Sequence, residues 1–281
     1  MQRVSPVNPQ PEWCAQLLTQ PRIEVFPLPG IADRTIAATD GAKVAVTCSP
    51  RKGIEATMQL TERLMASGIE VSPHLSARQM RDRAHARRIA EWLDNLGVRD
   101  VFVIGGDARQ PAGPFPSAAS LLSYFAESGV TFDQVGVAAY PEGHPTVDDA
   151  TLWHALADKQ AWATYVVTQL CFDSGPILRW IKEARARGIR LPVHVGLAGA
   201  VDRMKLMRTA LRIGVGDSTR FVTKRSNVVA NLLGRRSYTP DALIAELCSQ
   251  STDSDIAGWH LYTFNEIEAT ESWGRRVLQG R

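Results

Sequence analysis

The run Tyr140-Pro141-Glu142-Gly143-His144-Pro145 stands directly behind the apolar stretch Val135-Gly136-Val137-Ala138-Ala139. An apolar run that ends in a tight turn crowded with tyrosine, glutamate, histidine and two prolines is how a barrel strand delivers polar groups to a site. Similar endings recur. Glu24 lies within Ile23-Glu24-Val25-Phe26-Pro27, Thr47 follows Val44-Ala45-Val46, His74 follows Val71-Ser72-Pro73, Asp107 follows Val101 to Gly106, and Gln169 follows Val166-Val167-Thr168. Of these, Glu24 implies the most definite chemistry. A carboxyl between Ile23 and Val25 on an inner strand is desolvated, which favours its neutral form and raises its pKa. A carboxylic acid still protonated near neutral pH serves as a general acid. The alternative reading of Glu24 is a structural ion pair, or a strand-end residue facing water.

The other candidates each carry two readings. Gly105-Gly106 before Asp107 suits close backbone approach by a ligand, and a turn aspartate capping its own loop has the same pattern. The amide of Gln169 can bond a planar heterocycle in both directions, or be a core amide satisfied by backbone. His74 and His144, with Asp107 and Glu142, raise the question of a metal, but H-x-H and H-E-x-x-H are absent and no metal site is expected. Neither G-x-G-x-x-G nor a Walker pattern occurs. Gly196 and Gly199 stand where a phosphate is cradled after a seventh strand, or form a plain turn.

Eight segments read as the buried strands that would position these residues: 23–27, 43–48, 70–75, 100–106, 135–141, 165–172, 192–198 and 259–264. They are short, rich in Val and Ile, and lack clean alternation, as strands covered on both faces do. Helical spacing lies between them. Ile89, Trp92, Leu93 and Leu96 precede Gly97; Ala118, Leu121, Leu122 and Phe125 follow Ser117 and precede Gly129; Ile177, Leu178 and Ile181 follow Ser174 and precede Gly188; Leu60 and Leu64 precede Gly68. Strand, helix, glycine and strand thus repeat, and a count of eight predicts an α/β fold with a closed (βα)8 barrel over residues 21–281. Residues 1–20 read as a lead-in. Extra helices are expected before the last strand, near 202–213, 217–233 and 240–250.

The chain has 281 residues, which suits one barrel domain, and its formal charge of +3 is too mild to imply a nucleic-acid partner. Arg78, Arg81, Arg83, Arg87 and Arg88 read as the solvated face of a helix. Cys14, Cys48, Cys171 and Cys248 form no C-x-x-C pair, from which a reducing, cytoplasmic compartment is expected. The first 20 residues lack the apolar core of a signal peptide, and no apolar run reaches the roughly 20 residues that cross a bilayer.

With these residues placed, the chain resembles the methylenetetrahydrofolate reductase family. The resemblance is carried by Glu24-Val25-Phe26-Pro27, Pro73-His74-Leu75, Gly106-Asp107, Val137 to Pro145, Thr168-Gln169 with Phe172-Asp173, and Leu261-Tyr262-Thr263-Phe264-Asn265, in the family's order across roughly residues 21–272. It implies a (βα)8 barrel that reduces 5,10-methylenetetrahydrofolate to 5-methyltetrahydrofolate. By that analogy Glu24 is the general acid that opens the five-membered ring, Asp107 contacts the pterin and tunes the site, and Gln169 and Tyr262 hold the folate. Thr47, His74, Ala118, Tyr140, His144 and Lys159 match positions on the cofactor's side.

The departures from the family pattern concern FAD, which typical members use as a hydride relay. Gly105 replaces an arginine, Leu152, Ala155 and Asp158 replace polar and basic flavin contacts, and Trp162 interrupts an Ala-Gly-Ala run, leaving Lys159. Arginine at a pyrophosphate supplies charge-assisted, often bidentate bonds. The resemblance with these losses implies the flavin-independent branch, in which NADH passes its hydride straight to the folate. An FAD enzyme with other flavin contacts, a non-redox folate-binding or methyl-transfer partner, and a metal-dependent barrel hydrolase stay open as alternatives. Oligomeric state is not legible.

Overall fold

A computed structural model describes residues 11–39, 41–206 and 237–279. Eight parallel strands close into one barrel: β1 (Arg22–Val25), β2 (Lys43–Val46), β3 (Val71–Ser76), β4 (Asp100–Ile104), β5 (Gln134–Ala139), β6 (Tyr165–Thr168), β7 (Val193–Ala198) and, last in the chain, β10 (Gly258–Tyr262). β10 closes the ring between β7 and β1, with Glu24 in register with Tyr262 and Arg22 with His260. A two-residue antiparallel pair, β8 (Val201–Asp202) and β9 (Ser237–Tyr238), lies outside it. The expected (βα)8 architecture is therefore present, and all eight expected strands are barrel strands. The barrel strands β4, β5, β6 and β10 end two to four residues earlier than 106, 141, 172 and 264, because the chain leaves the ladder there to form the loops that carry polar groups.

The helices are α1 (Glu12–Gln16), α2 (Ile31–Ala38), α3 (Gly53–Met65), α4 (Arg83–Asn95), α5 (Ala118–Glu127), α6 (Asp149–Lys159), α7 (Ser174–Ala186), α8 (Asp241–Gln250) and α9 (Ile267–Gln279). Ser117 caps α5 through a reciprocal pair of bonds with Ser120, and Asp173 rather than Ser174 caps α7. Of the three helices expected before the last strand, the one at 240–250 is α8. Helix begins again at Arg203, but the rest of 202–213 and all of 217–233 lie outside the described residues.

Alternation along each strand sends one set of side chains out to the helices and the other into the barrel. Ile23 and Val25 join the main core with Leu261 and Trp259, while Arg22 and Glu24 face inward. The lower barrel is filled by a polar network. Arg22 Nη1 donates to Asp100 Oδ2 at 2.6 Å, and Ser72 and Tyr165 donate to Asp100 Oδ1 at 3.1 and 2.8 Å. The Arg22 guanidinium lies 4.5 Å from the centre of the Tyr165 ring. Both carboxylate oxygens of Asp100 thus accept hydrogen bonds where the side chain is buried. Above it Gly136 makes room for aromatic rings: a Cβ there would stand 2.4 Å from Tyr165 Cζ and 2.5 Å from Phe102 Cδ2. Gly136→Ala should cost about 1–3 kcal/mol by overpacking, read as a lower urea midpoint at unchanged m.

Cys14 of α1 and Cys248 of α8 form a disulfide across 234 residues of sequence, whereas Cys48 and Cys171 are free and buried. Among the described residues no helix is long and apolar enough to cross a membrane.

Candidate active site

Glu24 is 6% exposed, and its Oε2 lies 3.1 Å from Nε2 of His260 on β10 and 3.7 Å from Nε2 of His74 on β3. Burial raises the carboxyl to about 7, opposed by His74. The same burial drives the imidazoles the other way, His74 to about 4 and His260 to about 3. Near neutral pH the arrangement is a partly protonated acid between two uncharged rings, which is a proton donor poised at its working pH.

The backbone of Glu24 is fixed from the far end of the chain. Thr263 Oγ1 donates to Glu24 O at 2.6 Å and accepts from Asn265 N at 3.1 Å. The Asn265 amide brackets Phe26, accepting from its N at 2.8 Å and donating to its O at 3.1 Å. Phe264 and Asn265 both hold positive φ, 51° and 63°, a conformation these bonds must enforce. The Tyr262-Thr263-Phe264-Asn265 run is thus a clamp on the strand that carries the acid. His74 lies within β3 rather than at its end, with its ring centre 4.7 Å from that of Phe102.

A cavity of about 1590 Å³ opens above Glu24 at the C-terminal ends of the strands. Its lining includes all ten residues that the family resemblance implied for the site: Glu24, Asp107, Gln169, Tyr262, Thr47, His74, Ala118, Tyr140, His144 and Lys159. Asp107 is exposed to it, one residue past Gly106, whose φ of +89° turns the chain out of β4. A Cβ on Gly106 would stand 2.0 Å from Ser76 Oγ, so the position needs glycine on both counts. Arg78 holds the loop that follows: Nη1 donates to Ala108 O and Nε to Pro116 O, both at 2.9 Å. Arg78 belongs to a 3-10 turn before α4, not to a solvated helix face as its spacing suggested. Arg78→Ala should free the Asp107 loop and raise KM for the substrate severalfold more than it lowers kcat, a split that steady-state rates would show.

Gln169 lines the cavity, and its Oε1 accepts from Leu170 N at 2.8 Å, which leaves its NH2 as the end not engaged by that bond. The Tyr262 hydroxyl donates to Thr168 O at 3.1 Å, which leaves the ring face as its contribution to the cavity. Gly196 is inside β7 and no phosphate cradle: a Cβ there would meet Thr168 O at 2.1 Å and Tyr262 Cε2 at 2.7 Å. In the turn after β5, His144 stands edge-on to Tyr140 with ring centres 5.1 Å apart, and burial lowers its pKa against the pull of Asp107. Thr47 Oγ1 is buried without a hydrogen-bond partner among the described residues. Lys159, at the last turn of α6, is lowered to about 8 by burial, with Asp158 opposing. Among the described residues no group of three or more His, Cys, Asp or Glu is placed to share a metal ion.

Sequence reasoning missed His260, the nearest partner of Glu24. The signal was present: Gly258, His260 and Tyr262 alternate with Trp259 and Leu261, so the histidine shares the inward face with Tyr262.

Residues 31–275 match the family model described as methylenetetrahydrofolate reductase. The chain is 27% identical over 183 residues to methylenetetrahydrofolate reductase 1 of Schizosaccharomyces pombe, covering 62% of this chain and 30% of that protein. It is 24% identical over 226 residues to a probable methylenetetrahydrofolate reductase (NADPH) of Caenorhabditis elegans, covering 76% and 34%. It is 23% identical over 193 residues to methylenetetrahydrofolate reductase (NADH) 1 of Arabidopsis thaliana, covering 62% and 32%. The chain thus spans about a third of the length of these relatives.

Proposed function

The chain belongs to the methylenetetrahydrofolate reductase family, and we propose that it reduces 5,10-methylenetetrahydrofolate to 5-methyltetrahydrofolate by a hydride passed directly from NADH. The observation that carries the reading is a buried carboxyl held near pKa 7 at the floor of the cavity. In this reaction Glu24 protonates N10 of the folate, the bond from the methylene carbon to N10 breaks, and a 5-iminium cation remains. The hydride adds to the iminium carbon, giving the methyl group, while Glu24 recovers a proton from solvent. Asp107 supplies a negative charge that favours the cation, the Gln169 NH2 donates to the pterin, and the Tyr262 ring supports it. Holding donor and acceptor carbons together in one cavity supplies the proximity term of the catalysis.

The donor set speaks against a resident FAD. Its pyrophosphate would need cationic partners, and the family's contact positions here present Gly105, Leu152, Ala155 and Asp158 to the cavity, with Lys159 as the cation among them. At about 1.5–3 kcal/mol for each charged hydrogen bond, the missing partners forfeit several kcal/mol of flavin affinity. Lys159, lowered to about 8 by burial, keeps its charge near neutral pH and is favoured further beside an anion, and we assign it to the dinucleotide's phosphates. Lys159→Ala should raise KM for NADH about tenfold or more with kcat little changed.

An absorption spectrum of the protein as purified, followed by an NADH–methylenetetrahydrofolate assay without added flavin, tests the reading. A colourless, active protein with intersecting initial-rate lines is expected. A yellow protein that exchanges electrons with NADH in the absence of folate makes it a flavoenzyme of the same family. Folate binding without NADH oxidation makes it a non-redox folate protein. Relatives are named for NADH and for NADPH, and kcat/KM for the two donors side by side decides between them.

A further inference from the structure

His260 is 1% exposed, and Nε2 faces Glu24 Oε2 at 3.1 Å while Nδ1 has no hydrogen-bond partner among the described residues. A neutral imidazole carries one N–H, and its tautomer is set by what surrounds each nitrogen. Arg22 is the register partner of His260 on the neighbouring strand, and its positive charge acts on the ring. A cation acting on the ring favours a lone pair, rather than the N–H, at the unpartnered nitrogen. That leaves the hydrogen on Nε2, where Glu24 accepts it. Oε2 of Glu24 also takes the approach of His74, at 3.7 Å, whereas Oε1 takes no bond from any described residue and Glu24 opens to the cavity.

We propose that His260 is a positioning residue that donates Nε2–H to Oε2 of Glu24 and thereby confines the acid's transferable proton to Oε1, the oxygen facing the substrate. The proposal deepens the reading of Glu24 as general acid and rests on it. Its consequence for the reaction is directional. When Oε1 gives up its proton, the charge that develops on the carboxylate is met at Oε2 by a donor already in place, so the bond strengthens as the transition state forms.

Other groups act on the pair from every side. His74 of β3 and Tyr262 of β10 flank the acid, Arg22 of β1 and Asp100 of β4 lie below as a neutral pair, and His194 of β7 is an uncharged neighbour of His260. Within the strand interior, β5 brings Gly136 and Ala138 and no titratable group. None of these supplies an N–H to Oε2 at hydrogen-bond distance, so removal of His260 is not compensated.

The test compares His260→Leu with His260→Gln, whose side-chain NH2 restores a donor near Nε2. In His260→Leu the alkaline limb of the turnover profile should rise by about one to two pH units and turnover should fall about 10- to 100-fold, the scale of one hydrogen bond to a charged group. His260→Gln should recover much of both. An unmoved limb in the leucine variant, or glutamine no better than leucine, overturns the proposal. Should the leucine variant not fold, 15N shifts of the His260 ring in the ligand-free wild type decide: Nε2–H is expected, and Nδ1–H overturns it. The same ligand-free sample reports Glu24 by its 13C carboxyl titration. Coupling seen there in a protein that fails to reduce methylenetetrahydrofolate would sink the proposed reaction and leave the role of His260 standing.

Discussion

Glu24→Gln is expected to lower turnover by about 100-fold or more while folate affinity stays within about tenfold. The two side chains are nearly isosteric, and a glutamine carbonyl still accepts from His260 Nε2, which sits 3.1 Å from Oε2 in the wild type. The floor of the cavity therefore keeps its shape and its hydrogen bond, and ground-state binding should change little. What the amide lacks is a proton to release. N10 must then leave as an unprotonated amide anion or take its proton from water, a far weaker acid than the carboxyl, and either route raises the barrier. Because the loss falls on a step made only in the transition state, kcat and kcat/KM should drop together. Single-turnover rates with folate affinity measured separately give the result. Wild-type-like turnover removes Glu24 from proton transfer, and a large affinity loss at unchanged kcat reassigns it to binding.

The architecture was legible because parallel barrel strands announce themselves locally. Each is a short apolar run, and the glycines at 68, 97, 129 and 188 that end the intervening helices all hold positive φ, from 72° to 80°. The acid was legible for the same reason: a carboxyl between Ile23 and Val25 has to be desolvated. What the local pattern lacked was partnership across the barrel. His260 is 236 positions from Glu24, Arg22 is 78 from Asp100, and each pair meets only when the ring closes. Arg78 looked like one of a row of surface cations until the 3-10 turn before α4 aimed it at the carbonyls of Ala108 and Pro116. Cys14 and Cys248 gave no spacing signal because a disulfide between helices 234 residues apart in sequence has none. Residues whose role depends on their own burial are readable from neighbours in sequence, and residues whose role depends on register are not.

Turnover should fall about tenfold for each pH unit above about 7 wherever ring opening limits the rate, and the same titration should appear in stability with a definite sign. Desolvation raises the folded-state value of Glu24 from an ordinary 4.5 to about 7. Between those two values the folded protein holds a proton that the unfolded chain has released, so stability falls as pH rises through that window. Above about 7 both states are ionised and the loss is complete. At about 1.36 kcal/mol for each pH unit separating the two values, the penalty reaches about 3 kcal/mol. Urea midpoints of wild type and Glu24→Gln between pH 4.5 and 8 isolate it, because His74, His260 and the Arg22–Asp100 pair are common to both proteins. The amide should gain on the acid by about 3 kcal/mol across that range, with the gain levelling off at its upper end. A difference that stays flat with pH would mean that the carboxyl titrates as it does in water, and the acid at the centre of the mechanism would be an ordinary carboxylate with no proton to give. A gain that tracks the alkaline loss of turnover would identify both with one group, so that the stability the fold forgoes at Glu24 above pH 7 is the same free energy that keeps a proton within reach of the folate below it.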